Sequence, residues 1–250
     1  MSNDTLLPDF TRLGPTEPFS VLRKLLWPAS EETWANDLAL DEPERLATFI
    51  QEFTPDDQDS PSKIRYIDLT KNPSLAVDQL AALDVLIVRQ DYLDFMAQTQ
   101  RSRKLDGKPR YGREYLTGEH GTGKSVGAFY FLFRLLAAGQ PVFFTPNTNA
   151  GIYYFSKSGV DFLQEEGMTM DRKAVMHVVR GSWVIINDPK WQPGNWWVEA
   201  TLGGIWTAAP EGEWLMQQLT MQLKAGAWGM KPWSPGEIAA VKTLRTNQLQ

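Results

Sequence analysis

Apolar residues recur along 125–138 in a pattern that fits a buried helix. Val126, Phe129, Tyr130, Phe133 and Leu136 keep the spacing of one helical face. Phe131, Leu132 and Leu135 fill the other sides, and a helix apolar almost all round belongs inside a protein. Gly139 then supplies the C′ residue that ends it. Upstream, 64–69 alternates like a strand, 73–83 reads as a helix, and Val85-Leu86-Ile87-Val88 is a β-branched run bounded by charges, hence a buried strand. The 90–98 stretch is helical, with Tyr92, Phe95 and Met96 on one face, and 101–110 is a polar connector into a short strand at 113–116.

Beyond the buried helix, 141–145 is the next strand, 147–151 a turn-rich loop, and 153–164 a strand running into a helix. Strands are expected at 175–179, 183–186 and 205–207, and helices at 212–224 and 237–244. Strand and helix alternate from about residue 110 onward. That order argues for an α/β fold, a mainly parallel sheet flanked by crossover helices. Residues 1–62 form an N-terminal extension, with short apolar runs at Val21-Leu22 and Leu25-Leu26-Trp27 that predict helices, and a Pro- and Asp-rich linker at 54–62. The remaining 63–250 constitute the main domain.

Between the strand at 113–116 and the buried helix lies Gly118-Glu119-His120-Gly121-Thr122-Gly123-Lys124-Ser125, a complete G-x-x-x-x-G-K-[ST] phosphate-binding loop. Its glycines let the backbone curl so that successive N–H groups, through Val126 in the first helical turn, point at phosphate oxygens. Lys124 is expected to reach the β- and γ-phosphates, and Ser125 to place its hydroxyl on Mg2+. The helix dipole adds positive potential at the same point. Such a loop works with an acid at the end of a second buried strand. Trp183-Val184-Ile185-Ile186-Asn187-Asp188 fits, with Asp188 as the candidate metal partner and Asn187 as the substitute should it occupy the strand end. Thr207, after Gly204-Ile205-Trp206, either senses the γ-phosphate or satisfies backbone groups at a strand end. Lys124, Asp188 and Thr207 are thus the candidate catalytic set. Glu199 and Glu211 are the remaining candidates to activate water, and Arg180 and Arg245 to supply an arginine.

Composition narrows the class. The chain has no cysteine, which excludes disulfides and thiolate metal sites, and its two histidines, His120 and His177, argue against zinc. The start of the chain lacks the features of a signal peptide, and no apolar stretch is long enough to span a bilayer, so an intracellular protein of cytoplasm or nucleus without membrane contact is expected. Eight of the ten tryptophans fall at 183, 191, 196, 197, 206, 214, 228 and 233. They lack the interleaved Lys and Arg of a base-stacking platform, so core packing or a protein-facing patch for a partner or self-association is expected in place of nucleic-acid binding.

Four ordered elements carry a family resemblance. Residues 85–92 (Val-Leu-Ile-Val-Arg-Gln-Asp-Tyr) resemble an element upstream of the loop in fungal Crinkler and retrotransposon-hot-spot type P-loop NTPases. The loop, its aromatic helix and Gly139-Gln140-Pro141-Val142 are similar to theirs, as are Thr207-Ala208-Ala209-Pro210 and Met230-Lys231-Pro232-Trp233-Ser234. The resemblance implies an AAA-like module that binds ATP with Mg2+, with weak hydrolysis coupled to a partner, and a lid that is incomplete, as in a truncated form. The family reads Asp then Ser where this chain reads Asn187-Asp188, a departure that touches hydrolysis more than binding. A nucleotide-binding interaction module without turnover is the alternative, and a P-loop kinase the third reading. The guanine-selecting Asn-Lys-x-Asp pattern is absent, which favours ATP.

Overall fold

The computed structural model describes residues 10–29, 42–54, 63–104, 112–146, 151–164, 178–187, 201–207 and 226–248. In chain order, the first described part holds β1 (Thr11–Arg12), α1 (Pro18–Leu26), α2 (Glu44–Ala47), β2 (Ile50–Phe53), β3 (Ile64–Asp68), β4 (Val85–Val88) and α3 (Gln90–Lys104). The unit around the glycine-rich loop follows as β5 (Gly112–Thr117), α4 (Lys124–Ala137) and β6 (Val142–Thr145). Then come β7 (Ile152–Ser156), β8 (Gly159–Leu163), β9 (Trp183–Ile186), β10 (Gly203–Thr207), β11 (Gly226–Gly229) and a last helix, α5 (Pro235–Gln248).

These strands form an eight-stranded sheet in the order β1-β8-β7-β6-β9-β10-β5-β11 and a three-stranded antiparallel sheet, β2-β3-β4. From β6 to β11 every pair is parallel; β7, β8 and β1 extend the sheet antiparallel. The fold is therefore mixed α/β, with a large mainly parallel sheet flanked by helices.

The buried helix is the central layer. Every residue from Gly127 to Ala137 of α4 is buried. On one side α4 packs across β10, β9 and β6, where Ile205, Trp183, Ile185 and Phe144 share its core. On the other it meets α1 through Phe19, Leu22 and Leu26, and α3 through Tyr92, Phe95 and Met96. Edge-to-face contacts such as Phe129–Phe144, with ring centroids 5.1 Å apart, hold the two sides in register. A completed Schellman motif ends the helix: Gly139, at φ 66°, donates its N–H to Leu136, and Gln140 donates to Leu135.

Several expectations shift. Residues 153–164 form the β7–β8 hairpin, with no helix, because Lys157-Ser158 make a two-residue turn before Gly159 at φ 149°. The 73–83 segment splits into two 3-10 turns, Pro73–Leu75 and Asp78–Ala82, since extended Val77 and positive-φ Asp78 interrupt it. Helix α3 runs on through the expected connector to Lys104, in keeping with the helix propensity of Gln, Arg and Lys. Val178 and Val179 lie in a helical turn closed by bonds from Gly181 and Ser182, not in a strand; 175–177 lie outside the described residues, as do the helix expected at 212–224, most of the 54–62 linker, and 147–150. No helix among the described residues is long and apolar enough to cross a membrane.

Leu22 of α1 is completely buried against the same core as α4. Leu22→Ala is expected to lower unfolding free energy in urea by about 2–5 kcal/mol, within a single transition. A loss below about 1 kcal/mol would show that α1 contributes little to the core.

Candidate functional site

The loop expected to cradle phosphate joins the carboxyl end of β5 to the first turn of α4. Gly118, Gly121 and Gly123 all have positive φ (138°, 82° and 96°), which a side chain would strain. Gly123 is the N-cap of α4 and makes no side-chain cap bond. Among the described residues no hydrogen bond engages the N–H of Gly121, Gly123, Lys124 or Ser125. Glu119, His120 and Gly121 are exposed at the loop tip; Ser125 and Val126 are half-buried in the first helical turn.

The loop's carbonyls, by contrast, are tied back. Lys124 Nζ donates to Gly118 O at 2.6 Å and Glu119 O at 2.8 Å. The Thr122 hydroxyl also donates to Glu119 O, at 2.9 Å. The Trp233 indole N–H reaches Gly121 O at 3.0 Å, Arg89 Nη1 reaches Thr122 O at 2.8 Å, and the Tyr92 hydroxyl reaches Gly123 O at 2.7 Å. These carbonyls are held while the N–H groups of Gly121, Gly123, Lys124 and Ser125 are unengaged among the described residues. Burial lowers the pKa of the Lys124 ammonium, so some of its hydration has already been given up.

Arg89 organises the back of the loop. It follows β4, is 3% exposed, and spreads its donors over four groups. Nη1 takes Thr122 O, Nη2 takes Lys231 O at 3.1 Å, Nε meets Glu237 Oε1 at 3.2 Å, and Asp91 Oδ2 lies 3.4 Å from Nη2. Its guanidinium stacks 4.5 Å from the centre of the Trp233 ring. Glu237 is held in turn by a reciprocal capping box at the start of α5: Ser234 N–H donates to Glu237 Oε2 at 2.8 Å, and Glu237 N–H to Ser234 Oγ at 3.1 Å. Burial alone would raise the Glu237 pKa, but the Ser234 N–H, Arg89 and the Ser234 hydroxyl outweigh it and the net shift is downward.

Tyr92 packs beneath the loop so closely that a Cβ on Gly123 would lie 2.7 Å from its hydroxyl and one on Gly127 2.8 Å from its ring. Burial pushes the Tyr92 phenol far above its ordinary range, so it stays a donor.

The strand ends beside the loop are polar. Register places Thr207 of β10 opposite Leu116 of β5, and Trp206 opposite Ile186 of β9. Asn187 directly follows β9, and its N–H bonds Thr145 O at 3.0 Å. Trp183, Ile185 and Asn187 share the face turned to α4, as do Ile205 and Thr207, by the two-residue period of a strand. The Thr207 hydroxyl donates to Asn187 Oδ1 at 2.7 Å. Asn187 is 2% exposed and its Nδ2 has no partner among the described residues.

Asn187 thus occupies the strand end where an acid was expected; Asp188, Glu199 and Glu211 lie outside the described residues. Arg180 precedes β9 and sits at the amino edge of the parallel strands, opposite the loop, and Arg245 falls on α5. Trp183 and Trp206 are buried in the sheet, Trp228 and Trp233 are half-buried, and 191, 196, 197 and 214 lie outside the described residues. The roles of Arg89, Tyr92, Trp233 and Glu237 come from long-range contacts. In the sequence Arg89, Tyr92 and Trp233 stand within the elements of the family resemblance, without a role, and the S-x-x-E box at Ser234–Glu237 marks the start of α5 two residues before the expected 237.

The fold and loop together define a mixed α/β protein with a glycine-rich turn at the carboxyl edge of its parallel strands. No protein-family model matches the chain, and no curated protein matches it.

Because Arg89 is buried among acceptors, Arg89→Met is expected to cost about 3–5 kcal/mol in chemical denaturation, the scale of breaking a buried pair. The depressed Glu237 pKa adds stability that is complete above the unfolded carboxyl's titration near pH 4.3, by the model-peptide value of about that size, and is lost as pH falls through the lower folded value. The stability gap between wild type and Glu237→Gln, read from melting curves, is therefore expected to hold from neutrality to about pH 5 and to narrow below about pH 4.

Proposed function

We propose that the chain is a nucleoside triphosphate-binding P-loop module of AAA-like type, with ATP as the default ligand. The carrying observation is the loop itself: its carbonyls are bonded from behind and its N–H groups are free where α4 begins. In the bound state the phosphate oxygens would replace Gly118 O and Glu119 O as acceptors for Lys124, exchanging neutral partners for charged ones.

Chain topology supports the same place. From β5 the chain crosses to β6, past β10 and β9, whereas from β10 it crosses to β11 on the far side of β5. Connections that leave neighbouring strands in opposite directions open a crevice at their carboxyl ends, the usual ligand position in open α/β sheets. The elements that carry the Crinkler resemblance also meet in space: Arg89 and Tyr92, the loop, and 230–234 are joined by direct hydrogen bonds. That convergence supports assignment to the Crinkler and retrotransposon-hot-spot class, and with it an intracellular protein whose tryptophan-rich third engages a partner.

The metal fits less well. Ser125 offers a hydroxyl, but Asn187 is neutral, and no group of three or more His, Cys, Asp or Glu side chains that could hold an ion is found among the described residues. Mg2+ would enter as the counter-ion of ATP. The neutral strand end favours binding with little turnover over efficient hydrolysis.

Titration calorimetry with ATP and GTP tests the proposal. Wild type is expected to bind ATP below millimolar concentration, and Lys124→Ala to weaken it by at least about tenfold, the scale of one charged hydrogen bond. Absence of binding by either nucleotide at millimolar concentration would end the proposal.

A further inference from the structure

The strand end beside the loop holds an unsatisfied donor. Asn187 is 2% exposed, its Oδ1 already accepts from the Thr207 hydroxyl, and its Nδ2 has no partner among the described residues. A buried amide N–H without an acceptor is costly, and a ligand oxygen placed there would remove that cost. The group lies on the α4 face of the sheet, two strands from the loop strand and level with its end. An N–H donor cannot ligate a cation. It suits an oxygen anion.

We propose that Asn187, oriented by Thr207, is an oxyanion-reading residue that recognises the terminal phosphate of the bound triphosphate directly, so that triphosphate binding and its preference over diphosphate do not require Mg2+. This rests on the nucleotide reading above and specifies how that site selects its ligand. An aspartate at this position would present negative charge to the phosphate and need a cation between them. The amide presents a donor in the same volume. Asn187 Nδ2 would take a γ-phosphate oxygen, Lys124 the neighbouring oxygens, and the free N–H groups of Gly123 and Lys124 the β-phosphate. Thr207 is a positioning residue: by donating to Oδ1 at 2.7 Å, its hydroxyl engages one end of the amide and leaves Nδ2 for the ligand.

Calorimetry on the full chain, with ATP and ADP in excess EDTA and again in excess Mg2+, tests this. In wild type, ATP affinity is expected to differ between the two conditions by less than about threefold, and ATP to bind at least about tenfold tighter than ADP in EDTA, one charged hydrogen bond's worth. Asn187→Asp is expected to lose metal-free ATP affinity by at least about tenfold and to regain it with Mg2+. Asn187→Ala, which keeps the backbone bonds to Thr145, is expected to bring ATP and ADP to within about threefold of each other. Circular dichroism confirms that each variant folds.

The inference is overturned if wild type binds ATP only with Mg2+, or if Asn187→Asp binds metal-free ATP as wild type does. Either result leaves the P-loop reading intact. Failure of wild type to bind ATP under both conditions overturns both.

Discussion

A guanidinium cannot be buried unless its donors find acceptors, and Arg89 meets that demand with groups from two distant parts of the chain. The β4 end supplies the cation, the glycine-rich loop supplies Thr122 O, and the segment before α5 supplies Lys231 O, with Glu237 behind it. Each acceptor is fixed by something else: Glu237 by its capping box, Lys231 by its N–H bond to Asp91. The loop therefore does not hold its shape alone: Lys124 and Thr122 bond Gly118 O and Glu119 O from within it. Its curvature is imposed from the back, through carbonyls, leaving the front N–H groups unengaged. Pre-organisation of this kind removes part of the ordering cost a ligand would otherwise meet.

The α4 layer gives the loop its fixed mounting. A helix buried on every side has no freedom to shift without opening cavities against both the sheet and α1. Its N-terminal turn is thus held at the carboxyl edge of β5, and Tyr92 couples the two layers by bonding the loop while stacking on Tyr130, 5.8 Å away.

Much of this was legible in the sequence, for local reasons. The glycine-lysine-serine spacing, the apolar helix, the Val85–Val88 strand and the strands ending at Ile186 and Thr207 are set by patterns within a few residues. The β7–β8 hairpin was hidden because an aromatic-rich stretch such as Tyr153 to Phe162 satisfies both strand and helix patterns over so short a length. The clasp around Arg89 was not legible as a structure: nothing local says that a charge after a buried strand will find partners 33 and 148 residues away. The strand end at Asn187-Asp188 was ambiguous by one position; Asn187 falls on the α4 face by strand alternation and bonds Thr207, while Asp188 lies outside the described residues.

The ring of Tyr92 occupies the volume that side chains at 123 and 127 would need, and its hydroxyl also serves the loop. Neither glycine can enlarge while the tyrosine stays, and loss of the tyrosine would leave a void under the loop and Gly123 O with only its bond from Gly127 N–H. Among related chains, positions 92, 123 and 127 should consequently drift together or not at all, making this trio a covariation signature by which remote members of the group could be recognised after their overall similarity has faded.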